Sequence, residues 1–196
     1  MIKVALTGGI ATGKTYVAAK LRARGIPVLD ADALAHGVMA AGTEATAAIA
    51  ERFGDDVLAA DGSVNRARLG PIVFADPSAR KALEAIVHPA VHRATEAGIR
   101  AFELTGDYPI AVVDVPLLFE TGGEKRFDKV IVTVCPVDTQ IARMKERGLT
   151  EEAARQRIAA QLPSEAKSAR ADFVIDTSGT FEQTDRQIDA CLAALR

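Results

Sequence analysis

The chain has 196 residues, 48% of them hydrophobic and 26% charged, with a formal net charge of −2. That length suits one α/β domain with room for an insertion, and the apolar share is enough for a sizeable core. The near-neutral charge excludes a general pull toward nucleic acid or an anionic membrane surface, so any basic site has to be local.

The first element is an apolar run, Ile2–Leu6, read as a short buried strand. It leads into Gly8-Gly9-Ile10-Ala11-Thr12-Gly13-Lys14-Thr15, a full match to G-x-x-x-x-G-K-[ST] with the required strand before and helix after. Such glycines let backbone N–H groups turn inward around phosphates, and the following helix presents its positive dipole end to the anion. Lys14 is placed to bridge the β- and γ-phosphates, and Thr15 to offer an oxygen to Mg²⁺. A helix is expected from Lys14 to Arg24, closed by Gly25, with the Lys14 side chain at the surface.

Pro27–Leu29 reads as the second strand, followed by Asp30 and Asp32. A carboxylate there can take the proton of an attacking hydroxyl, or Asp32 can cap a helix starting near Ala33; spacing alone leaves both open. The interval from Ala31 to Asp107 lacks β alternation and shows helical stretches instead, at Thr43–Phe53, Arg66–Phe74 and from Asp76-Pro77 onward. Asp76 has the chemistry of an N-cap before proline at the first helical position. Pro89 is expected to break that helix after His88, with a further run to about Leu104. A crossover needs only about a dozen residues, so residues 31–106 form an inserted helical domain. Within it, His88 is either a substrate contact or a helix-end histidine bonded to backbone, and Arg66 either meets an acceptor phosphate or lies in water.

The third strand, Ile110–Val115, carries Asp114 at its end, where a carboxylate either assists Mg²⁺ or bonds the neighbouring loop. Val130–Val134 and Phe173–Ile175 complete the strands. Asp138 is expected to cap a helix ending at Gly148, Thr150 to start another running to Leu162 and Pro163, and the last helix to span about Phe181–Leu195. Arg143 and Arg147, four apart on one helix, and Arg155 and Arg157 on the next read either as a solvated charged face or as cations around a transferring phosphoryl group. Strands separated by helices imply a doubly wound, parallel five-stranded sheet of the P-loop type. Its nucleotide-binding core would comprise residues 1–30 and 107–196, with a helical lid at about 140–165.

Cys135 and Cys191 lack metal-ligand spacing and sit in apolar surroundings, which points to buried free thiols in a reducing compartment. No apolar stretch approaches the roughly 20 residues of a membrane helix, and Ile2–Leu6 enters the glycine loop directly instead of forming a signal peptide's apolar region. A soluble cytoplasmic protein, monomeric or a small homo-oligomer, is expected.

Taken together, LTGGIATGKT, VLDAD, RARLGPIVFADPSARKALEAIVHPAV, VVDVPLLFE, QIARMKERG and ADFVID resemble, in order and over nearly the whole chain, the dephospho-CoA kinase family. The resemblance implies ATP-dependent phosphorylation of the ribose 3′-hydroxyl of dephospho-CoA, with Mg²⁺. It places Asp32 as the base, Gly8–Thr15 on the ATP phosphates, Arg143 and Arg147 on the lid, and Arg66, His88 and Leu117 on the acceptor side. Two positions depart from the family pattern. Ala11-Thr12 stands where Gly-Ser is usual, a mild change if the backbone there suits an L-residue, and Thr177 stands where an asparagine commonly follows VID.

Rival readings fit less well. A GTPase would need an N-K-x-D segment, but Asn65 is the only asparagine and Arg66 follows it. A nucleic-acid motor would need stacking platforms, but aromatics are 5% of the chain and tryptophan is absent. A scaffold without catalysis would have no need to keep Lys14, Asp32 and Asp114 together.

Overall fold

The computed structural model describes residues 1–195. Among them, five strands form one parallel sheet in the order β2-β3-β1-β4-β5, with β1 at Ile2–Gly8, β2 at Val28–Asp30, β3 at Ile110–Asp114, β4 at Lys129–Val134 and β5 at Phe173–Asp176. The expected strands are all present, and the doubly wound reading holds. Every residue of β3 is buried, as are Val4 to Gly8's neighbour Thr7 in β1, which is why these segments read as unbroken apolar runs: both sheet faces are covered.

Side-chain alternation sorts the strand residues between two layers. Val4, Leu6, Val112, Ile131 and Ile175 face α1 (Lys14–Ala23) and α9 (Phe181–Ala194), packing on Val17, Leu21, Ile188 and Leu192. Ala5, Val130 and Val132 face the opposite layer, where Leu118 and Phe119 of the loop after β3 meet Leu162 and Ala171. α9 begins with a capping box, Thr180 with Gln183, and α7 (Glu151–Ala159) begins on Thr150, whose hydroxyl accepts from the Ala153 N–H.

The chain divides into two compact units, residues 1–30 with 101–196 and residues 31–100. The second unit contains α2 (Ala31–Val38), α3 (Glu44–Phe53), α4 (Arg66–Ala75) and most of α5 (Pro77–Thr105). Its core is its own: Met39, Ile49, Val57, Val64 and Leu69, with Leu83, Ile86 and Val87 packed against them. Thr43 and Asn65 cap α3 and α4, and the Asp76 carboxylate accepts the Ser78 N–H at 2.7 Å as expected of an N-cap.

Three local expectations are corrected. α5 runs through Pro89 without a break, because Leu83, Ile86 and Val87 before it and buried Ala90 and Thr95 after it hold both halves in register. That packing offsets the proline's lost N–H and its clash with the preceding turn. Asp138 lies inside the first turn of α6 (Val137–Glu146), whose N-cap is Pro136. Finally, α7 ends at Ala159, and a separate short helix, α8 (Ser164–Ser168), follows Pro163.

Candidate active site

The site is built where β1 hands over to α1. Gly8 pairs with Thr133 of β4, and a Cβ at Gly8 would run into the Thr133 hydroxyl, so glycine is what lets the two strands lie this close. The loop turns through Gly13 at φ 82, where a Cβ would sit 3.0 Å from the Thr177 hydroxyl. α1 then starts with no side-chain cap. Its first N–H groups, left without a side-chain cap, are what a phosphate would take.

Ala11 has φ 58. An alanine at this position is therefore not a mild choice: a left-handed L-residue costs roughly 1–2 kcal/mol. Neighbouring side chains hold the strained turn in place. Arg143 Nη1 donates to the Ala11 carbonyl at 3.1 Å, and Gln140 Nε2 donates to the Ile10 carbonyl at 2.6 Å. Thr12 Oγ1 bonds the Gly9 carbonyl and Thr133 Oγ1, each at 2.8 Å.

Lys14 is not a surface side chain. Its ammonium pairs with Asp114 Oδ1, with side-chain exposures of only 18% and 10%. Asp114 ends β3 in register with Leu6 on one side and Asp30 on the other. Thr15, next on α1, is exposed.

Arg143 is fixed by more than the loop. It donates to Thr177 Oγ1 at 3.1 Å and to the Thr177 carbonyl at 2.7 Å. Thr177 in turn donates to the Thr12 carbonyl at 2.8 Å. Thr177 thus ties the end of β5 to the phosphate loop. Beside it, burial pushes the Cys135 thiol up, against the pull of the Arg143 charge, and burial raises Cys191 in the core to about 11.

A cavity of about 590 Å³ opens over this loop. Gly8 through Tyr16 form its floor, and Pro116, Arg143, Arg147, Gln161, Thr177 and Phe181 stand around it. Phe181 stacks on Tyr16 with ring centroids 4.8 Å apart. So the first unit brings together the whole phosphate loop, Arg143, Arg147 and, through Lys14, Asp114. Leu117, 44% exposed, follows Pro116 of the cavity wall. Arg155 is committed to Glu151 one turn away at 2.8 Å, which favours the solvated-face reading for it.

Asp32, Arg66 and His88 belong to the second unit. Asp32 is exposed in the first turn of α2, and Arg66 opens α4 with its guanidinium against His36 at the end of α2. His88 is exposed within α5, its ring 6.5 Å from that of His92, and so is not the helix-end histidine of the alternative reading. Among the described residues no cluster of three or more His, Cys, Asp or Glu could hold a metal ion, and no helix is long and apolar enough to cross a membrane.

Several residues escaped the sequence reading. Gln161 accepts the Ile10 N–H at 2.8 Å, and Gln140, 2% exposed, donates to the carbonyl of the same residue. Glu120 accepts the Leu162 N–H at 3.1 Å and pairs at 2.8 Å with the wholly buried Lys167. Burial alone would raise the Glu120 carboxyl, but the Lys167 ammonium and backbone N–H groups together hold it below its ordinary value. Only the PLLFE stretch containing Glu120 offers any signal; the chain neighbours of Gln140 and Gln161 carry none.

A family model for dephospho-CoA kinase matches residues 2–183. The dephospho-CoA kinase of Anaeromyxobacter dehalogenans is 50% identical over 194 residues, 98% of this chain and 92% of that protein. That of Shouchella clausii is 46% identical over 193 residues, 98% of each chain. Among solved structures, the dephospho-CoA kinase from Campylobacter jejuni is 25% identical with a TM-score of 0.74, covering 98% of this chain and 96% of its own. A phosphate loop met by matches of this length leaves one assignment: the chain belongs to the dephospho-CoA kinase family, whose members use ATP in the final step of coenzyme A biosynthesis.

Proposed function

We propose that the cavity over Gly8–Thr15 holds the triphosphate of ATP and that Asp32 is the general base toward the ribose 3′-hydroxyl of dephospho-CoA. The observation that carries the donor half is the uncapped start of α1 opening onto a cavity bordered by Lys14, Arg143 and Arg147. In the reaction the hydroxyl oxygen bonds to the γ-phosphorus, the bond from phosphorus to the ADP oxygen breaks, and the hydroxyl proton passes to the Asp32 carboxylate. Lys14 would leave Asp114 to meet the β- and γ-oxygens, and Arg143 and Arg147, which line the same cavity, would balance charge on the donor side.

Mg²⁺ fits this set of donors, since it keeps several waters and needs only one or two protein oxygens beside the phosphates. Thr15 and Asp114, the latter through water, would hold it, and bound there it would neutralise charge between the outer phosphates. Arg66, His88 and Leu117 would contact the acceptor. Residues 31–106 would form the acceptor domain and residues 140–165 the lid. The partner is a small molecule, with no role for nucleic acid or membrane. The setting is cytoplasmic, consistent with two buried free thiols, and the protein acts as a monomer or small homo-oligomer.

The test incubates the protein with ATP, Mg²⁺ and either dephospho-CoA or its 3′-deoxy analogue and follows product by mass. Dephospho-CoA should gain one phosphate and the deoxy analogue none. Phosphorylation of the deoxy compound would overturn the acceptor assignment.

A further inference from the structure

Gln161 stands just beyond α7 and borders the phosphate cavity, 151 positions along the chain from the loop residue it touches. A peptide N–H can only donate, so the 2.8 Å bond from Ile10 N fixes the carboxamide oxygen as the atom facing the loop. What this side chain has left to offer a ligand in the cavity is therefore its NH₂ group.

The mounting is firm on every side. Ile10 is gripped at its carbonyl by buried Gln140, and the Ile10 and Ala11 side chains pack on Ile141, Met144 and Ala154. The residue after Gln161 is held too: the Leu162 N–H donates to Glu120, which is itself fixed by Lys167. A side chain held at its backbone, and at its tip, has little rotamer entropy left to lose on meeting a ligand.

We propose that Gln161 is a further catalytic residue, whose NH₂ donates to an oxygen of the terminal phosphoryl group as charge spreads over that group during transfer. It is a neutral donor added to the Lys14 and arginine charges, carried by a residue that lines the cavity from outside the loop. A preorganised donor of this kind is typically worth 10²–10³ in kcat. The assignment rests on the cavity being the triphosphate site.

Two variants separate this role from mere support of the loop. Gln161→Glu keeps an oxygen for the Ile10 N–H and the same length, but loses the NH₂. Gln161→Met keeps the bulk and loses both functions. Binding of ADP and of an ATP analogue with a methylene between the β- and γ-phosphorus is measured by titration calorimetry, together with kcat. Gln161→Glu should bind ADP within about 2-fold of the parent, bind the analogue about 10-fold more weakly, and lose about 10²-fold in kcat, and Gln161→Met, which also frees the Ile10 N–H, should lose at least as much in each. Relative to the parent at each pH, Gln161→Glu should recover analogue affinity as its carboxyl gains a proton and becomes a donor, whereas Gln161→Met should not.

If Gln161→Glu matches the parent while Gln161→Met fails, Gln161 only props the loop and the proposal falls. It falls equally if both variants match the parent. If the parent binds ADP and the analogue no better than Lys14→Ala does, the triphosphate site itself is misplaced, a different failure from either of these.

Discussion

Replacing Lys14 by methionine would leave the Asp114 carboxylate facing a methylene chain at a position that water barely reaches. Removing one member of a buried ion pair costs about 3–5 kcal/mol, whereas exposed pairs are worth about 1 kcal/mol or less. With side-chain exposures of 18% and 10%, this pair lies nearer the buried limit, and a destabilisation of about 2–3 kcal/mol follows. A surface lysine would have cost less than about 1 kcal/mol. Urea unfolding of the ligand-free protein at neutral pH reads the difference: with a slope of about 2–3 kcal/mol per molar, the midpoint should drop by about 1 M. Asp114→Asn should cost less, because the freed ammonium can reach solvent. The double variant should recover about 1.5–2 kcal/mol of the summed losses. A midpoint for Lys14→Met within about 0.2 M of the parent, with no coupling in the cycle, would refute the claim that the pair is desolvated and matters to folding.

Asp32→Asn should lower kcat by about 10²–10⁴ with ATP affinity nearly unchanged, and steady-state kinetics with near-parental kcat would remove Asp32 from the base role. Arg143→Ala deletes bonds to Ala11 and Thr177, so it should slow transfer and also cost about 1–3 kcal/mol in urea. Arg143→Lys should not restore either, since a point charge cannot span three acceptors; full rescue by lysine would count against the strap. Lys167→Ala should cost about 2–3 kcal/mol, since it empties a wholly buried position and leaves Glu120, whose side chain is 19% exposed, without its ammonium. Glu120 has a folded value held below its ordinary 4.5, so its contribution is complete above that pH and fades as pH falls through the folded value. Parent stability should therefore drop more steeply than that of Glu120→Gln as pH falls below about 4.5, and parallel curves would contradict the pairing.

How much was legible in advance follows from the kind of force involved. The parallel sheet could be read because β1 and β3 are covered on both faces and so are apolar without interruption. The phosphate loop could be read because its glycines answer backbone demands that few other residues meet, as at Gly13 beside Thr177. Pro89 misled because a local cost was outweighed by packing from Leu83 to Thr95, which only the folded helix displays. The surface expectation for Lys14 fails because its partner Asp114 lies 100 positions away along the chain. The clamps on Ile10 were invisible for the same reason, since nothing in a glutamine's neighbours along the chain announces which distant peptide it will grip. Asp32 came from family likeness, because a carboxylate after a strand can equally well begin a helix.

Cys135 and Cys191 sit in two different protected places, one beneath the Ala11 carbonyl and the other between the sheet and α9. The molecule therefore carries native reporters of two openings. Alkylation of Cys135 registers local loosening under the phosphate loop, while Cys191 reacts only when the central packing comes apart. A bound nucleotide that stiffens the loop would slow the first reaction beyond any effect on the second, so the two rates, read by mass on one unlabelled sample, separate breathing of the loop from disruption of the whole unit.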